Sequence, residues 1–67
     1  MKTELSPRED EIMKLVAADR SSKQIEQDLE MAEGTLKSHI ESIFRKYGVH
    51  SRAAAVAKWL GEQRPAE

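Results

Sequence analysis

Apolar residues return along this chain at helical spacing, in four blocks divided by short polar breaks. Ile12, Leu15 and Val16 make the first block, one stripe of an amphipathic helix. Its start is written in Ser6-Pro7-Arg8-Glu9. Serine suits the N-cap, proline suits the first turn, and glutamate three residues after the cap completes a capping box. Glu9, Asp10 and Glu11 lie where the helix dipole favours negative charge, and the helix should fade near Ala18-Asp19. Asp10 holds the staple position, so Leu5 must pack elsewhere. Ser21-Ser22-Lys23-Gln24 repeats the cap-and-box pattern, and Ile25 and Leu29 share one face of a short second helix. After the break at Glu30-Met31-Ala32 comes the strongest period in the chain. Leu36, Ile40, Ile43, Phe44 and Tyr47 form a continuous stripe, closed by Gly48 as a C′ glycine with Val49 as its apolar contact. A fourth helix is capped by Ser51 and runs to about Leu60, where Gly61 and then Pro65 oppose continuation. The predicted fold is all-α, with helices at about 6–18, 22–29, 33–47 and 51–60 in one domain over residues 1–67.

What the third helix leaves out of its stripe is informative. Gly34, Thr35, Lys37, Ser38, Glu41, Ser42 and Arg45 lie opposite the apolar positions. A short helix, a tight turn and a longer helix with a donor-rich face describe a helix-turn-helix, whose second helix reads the major groove of DNA. Any amphipathic helix also has a polar, solvated face, so periodicity alone does not decide the matter.

Composition narrows the field. A chain of 67 residues, 34% of them charged, has a small core and marginal stability. With no cysteine there is no disulfide and no thiolate metal site, which fits a reducing, cytoplasmic setting. No apolar run approaches a membrane span, and no signal peptide opens the chain. The net charge of -1 argues against nucleic acid, but its distribution argues the other way. Residues 1–36 carry five Lys/Arg against nine Asp/Glu. Residues 37–52 carry Lys37, Arg45, Lys46 and Arg52 against Glu41 alone, and His39 and His50 lie in the same stretch. A local basic patch can hold phosphates on a near-neutral chain.

Other chemistry finds little support. The two histidines stand without cysteines or paired carboxylates at metal-ligand spacing, and no glycine-rich loop could hold a nucleotide. Ser21 and Ser22 have no neighbouring base and read as caps. The expectation is a protein with no enzymatic activity, no metal and no cofactor. Trp59 shares a helix face with Arg52, Ala55 and Val56 and reads as core, and a pairing of Glu9 or Glu11 with Arg52 is compatible with the pattern.

Four stretches carry a family resemblance. Leu5-Ser6-Pro7-Arg8-Glu9 resembles the opening of LuxR/GerE-type helix-turn-helix domains. Ser21-Ser22-Lys23-Gln24-Ile25 is similar to the start of that family's second helix, and Glu33-Gly34-Thr35-Leu36-Lys37-Ser38-His39 to its recognition helix. Arg45-Lys46-Tyr47-Gly48-Val49-His50-Ser51-Arg52-Ala53 resembles the signature joining the last two helices. Together they run from Leu5 to Leu60 in order and register. The resemblance implies a three-helix core plus a C-terminal dimerisation helix in a bacterial transcription regulator. Such domains usually follow a phospho-receiver or a small-molecule sensor, though a few stand alone, and nothing in this chain resembles a sensor. Four positions depart from the pattern: Glu30 replaces a turn glycine, Ala32 a Ser or Thr cap, Tyr47 a leucine, and Glu41 a basic or neutral groove residue.

The resemblance and the polar face together assign the sites. Lys37, Ser38 and Glu41 are expected at base edges, where a carboxylate can accept from cytosine N4. Ser22, Lys23, Thr35, His39, Arg45 and Lys46 are expected at phosphates. Ala53, Ala57 and Gly61, flanked by Leu60, form a small-residue face on the fourth helix, where a two-fold mate could pack closely. Alanine is also simply the best helix former, so the resemblance carries part of that assignment. The expected partners are double-stranded DNA, a second copy of the chain and, further off, RNA polymerase, with no membrane. The alternative is a protein-interaction module that keeps the fold with weak DNA affinity, in line with Glu41 and the net charge.

Overall fold

A computed structural model describes residues 3–63 as four helices: α1 (Pro7–Ala17), α2 (Ser22–Leu29), α3 (Glu33–Tyr47) and α4 (Arg52–Gln63). Among these residues there is no strand. The N-terminal caps follow the sequence closely. Ser6 Oγ accepts from Glu9 N–H while Glu9 Oε1 accepts from Ser6 N–H, and Ser21 and Gln24 make the same reciprocal pair. Ser51 Oγ accepts from Ala54 N–H at the head of α4. Ala32 offers α3 no side-chain cap.

The C-termini of α1, α2 and α3 share one device. α3 closes with Gly48 N–H to Arg45 O and Val49 N–H to Phe44 O, a Schellman motif with Gly48 at φ 68°. Glu30 holds the equivalent position after α2, with Met31 N–H bonding Glu26 O, and Asp19 holds it after α1, with Arg20 N–H bonding Leu15 O. Their φ values are 51° and 64°, left-handed backbone that costs a residue with a Cβ and favours glycine. The turn between α2 and α3 therefore keeps its geometry with glutamate in the glycine position. Gly61 does not end α4, which continues to Gln63, because an exposed glycine weakens a helix without breaking it. Pro65 lies outside the described residues.

The core is built from Ile12, Met13 and Val16 of α1, Ile25 of α2, Leu36, Ile43 and Tyr47 of α3, and Ala55 and Trp59 of α4. Leu5, Leu29, Ile40 and Phe44 pack against it half-buried. The stripe of α3 is thus off-centre, with Leu36, Ile43 and Tyr47 facing inward and Ile40 and Phe44 turned toward α2. Only Ala55 and Trp59 are buried on α4; Val56 is half-buried and Arg52 is exposed. Trp59 closes the core and donates its indole N–H to Asp10 Oδ1 at 3.1 Å.

The ion pairs also differ from expectation. Glu9 pairs with Lys46 at 2.7 Å, not with Arg52, and Glu11 reaches Arg8 at 3.6 Å. Arg52 instead donates to the Arg20 carbonyl, while Arg20 forks onto Asp28. Arg52 starts α4 beside the α1–α2 connection, whereas Glu9 faces α3 and Glu11 stays on Arg8 of its own helix.

Candidate nucleic-acid interface

At about 100° per residue, Lys37, Glu41 and Arg45 fall in one i, i+4 row on α3, with Gly34 and Ser38 beside it. All five are exposed, on the side away from Leu36, Ile43 and Tyr47. Thr35, His39, Ser42 and Lys46 occupy the flank that meets α1. His39 is half-buried there, Thr35 is exposed, and the Lys46 ammonium is held by Glu9. Ser22 and Lys23 stand exposed in the first turn of α2, where unpaired backbone N–H groups suit an anion.

A groove of about 390 Å³ runs between α2 and α3, lined by Ser22 and Glu26 on one side and by Glu33, Lys37 and Glu41 on the other. Leu36, Ile40 and Phe44 also line it. The structure thus brings Ser22, Lys37 and Glu41 together and sets Lys37 among three carboxylates. Glu26 and Glu33 were given no site role in the sequence. Their signal was the helical register that puts Glu33, Lys37 and Glu41 at i, i+4 and i+8, and the turn that folds α2 back onto them.

Glu9, which the sequence assigned as a cap and a candidate partner of Arg52, also belongs to this region. It is 4% exposed and accepts from both Ser6 N–H and Lys46 Nζ. Burial pushes its carboxyl up, but hydrogen bonds from Lys46, the Ser6 backbone and Ser42 outweigh this and bring it down to about 2. Lys46 stays 40% exposed at its side chain, so its charge still reaches solvent.

On the opposite side, Ala53, Ala57 and Leu60 line a shallow groove with Val16, Ala17, Asp19, Arg52 and Val56. Leu60 is 47% exposed, the large hydrophobic residue most open to solvent among the described residues. Gly61 is exposed but does not line this groove. No helix among the described residues is long and apolar enough to cross a membrane.

The profile of the family described as "Bacterial regulatory proteins, luxR family" matches residues 3–59, which takes in all four helices down to Trp59. The chain belongs to the LuxR family. Among LuxR-family relatives, it is 40% identical over 57 residues to the probable HTH-type transcriptional regulator GfsR of Streptomyces halstedii. That match covers 85% of this chain and 24% of GfsR. It is 41% identical over 59 residues to the probable transcriptional regulatory protein NarL of Mycobacterium tuberculosis, covering 88% of this chain and 27% of that protein. The spore germination protein GerE of Bacillus subtilis is 36% identical over 56 residues, covering 84% of this chain and 76% of GerE. This LuxR-type domain therefore spans about a quarter of the longer relatives and most of the short one. No solved structure gives a significant match. As a member of this family of transcription regulators, the chain is a helix-turn-helix DNA-binding domain.

Proposed function

We propose that this domain binds duplex DNA sequence-specifically to regulate transcription, with α3 in the major groove and two copies paired through α4, and that it carries no catalytic role. The observation that carries the reading is the exposed Lys37–Glu41–Arg45 row of α3, flanked by the N-terminus of α2. Lys37, Ser38 and Glu41 reach base edges; Ser22, Lys23, Thr35 and Arg45 hold phosphates, with His39 and Lys46 on the far flank. Ala53, Ala57 and Leu60 form the two-fold contact, with RNA polymerase as the partner of the DNA-bound dimer. Selection from a randomised duplex pool, read by fluorescence anisotropy, tests it. Enrichment of a two-part site is expected, and Ala57→Glu should abolish cooperative filling of its halves while helicity is kept. A pool that shows no enrichment would overturn the reading.

A second reading, a fold that binds protein in place of DNA, draws support from Glu26, Glu33 and Glu41 around Lys37, which repel phosphates. The same pool decides between the two.

A further inference from the structure

Away from α3's polar face, a cleft of about 550 Å³ opens between the segment Thr3–Pro7, the start of α1 and α4. Leu5, Pro7, Tyr47 and Trp59 give it apolar and aromatic walls, and Glu4 and Asp10 give it carboxylates. A third carboxylate, Glu62, is tied to its wall by Thr3, whose hydroxyl donates to Glu62 Oε2 at 2.8 Å. Two polar atoms are buried with no hydrogen-bond partner among the described residues: the Tyr47 hydroxyl, on a residue that lines the cleft, and Oε1 of Glu62, whose other oxygen holds Thr3 of the cleft wall. Tyr47 is 4% exposed, so leaving its hydroxyl unpaired is costly. Burial, then the charges of Glu62 and Asp10, push that hydroxyl up to about 12, so it stays protonated.

We propose that this cleft binds a small alkylammonium ion, whose N–H groups donate to the Tyr47 hydroxyl oxygen and Glu62 Oε1 while its alkyl chain lies against Trp59 and Leu5. Three features select that chemistry. Asp10 is already engaged by the Trp59 indole and, at 3.8 Å, by Lys14, so Glu4 and Glu62 are the carboxylates that call for a cation. The apolar walls and the Trp59 indole suit an organic cation with a short chain, since ammonium groups are attracted to indole faces; the Tyr47 ring already carries the Lys58 ammonium, 5.9 Å from its centroid. Among the described residues no three His, Asp or Glu side chains converge as metal ligands, which disfavours an inorganic ion. The unpaired hydroxyl adds the directional contact that a general acidic surface lacks.

The chain's single tryptophan lines the cleft and reports on it. Trp59 emission is titrated with n-butylammonium chloride, against sodium chloride at matched ionic strength, n-butanol and sodium butyrate. A saturable change with n-butylammonium alone is expected, together with a rise in Tm. Tyr47→Phe keeps the ring and should bind at least about tenfold more weakly, the loss of one hydrogen bond to a charged group. Its Tm without amine should equal or exceed that of the parent. Glu62→Gln, at the end of α4, should weaken binding similarly and stands in if Tyr47→Phe fails to fold. A response shared with butanol or with sodium chloride, no saturation, or unchanged affinity in both variants would overturn the proposal and leave water as the occupant.

Discussion

At the scale of the residue, burial separates side chains that share a stripe in the sequence. Ile43 is fully buried, whereas Ile40, three residues earlier on the same stripe, is half-exposed toward α2. Ile43→Ala should cost about 2–5 kcal/mol and Ile40→Ala less than about 2 kcal/mol, measured by urea denaturation. Glu9 makes a second prediction. Its carboxyl lies at about 2 in the folded chain against an ordinary 4.5, so the unfolded chain takes up its proton first as pH falls. The stabilisation is complete above about 4.5 and is lost as pH falls toward 2. A shift of this size corresponds to about 3 kcal/mol. Glu9→Gln should lose about that much at pH 7 and little at pH 2, checked by circular dichroism across pH. Position three of a capping box identified Glu9 in the sequence, but its pairing with Lys46 was not legible. That pairing depends on how α3 crosses α1, which local spacing does not encode.

At the scale of the element, the four helices and their caps were largely legible, because each signal is local. Ser6, Ser21 and Ser51 cap as their positions imply, and Gly48 closes α3. The missing cap at Ala32 was legible too, and it has a consequence. α3 carries the polar row yet starts without a side-chain acceptor. Ala32→Ser should stabilise the domain by about 1 kcal/mol. For a domain of this size that is a Tm rise of roughly 4–8 °C, read from a thermal melt. The extension of α4 past Gly61 was not legible. A glycine near a helix end reads as a stop, and the contact that engages the turn beyond it, Thr3 on Glu62, is between residues far apart in sequence. The groove between α2 and α3 was half legible: α3's register placed Lys37 and Glu41, but Glu26 entered only through the turn.

At the scale of the whole molecule, charge is divided along the chain, with a positive stretch over residues 37–52 after an acidic one over residues 1–36. If α3 and the start of α2 meet DNA, Lys23, Lys37 and Arg45 are the cations unhindered by a short ion pair, while Lys46 is shared with Glu9. Anisotropy across salt concentrations should then give a slope of log K against log salt of roughly -3 per copy. Glu9→Gln frees Lys46 and should steepen it toward roughly -4, measured at low temperature where the variant stays folded. Folding and binding would compete for one ammonium. The left-handed residues Asp19 and Glu30 carry a different consequence. Aspartate and glutamate codons both stand one base transition from glycine, so each strained turn lies a single mutational step from relief. Either step would raise stability and remove a negative charge at once. A lineage pressed by heat would find both, and would drift toward a less acidic domain without any selection on its charge.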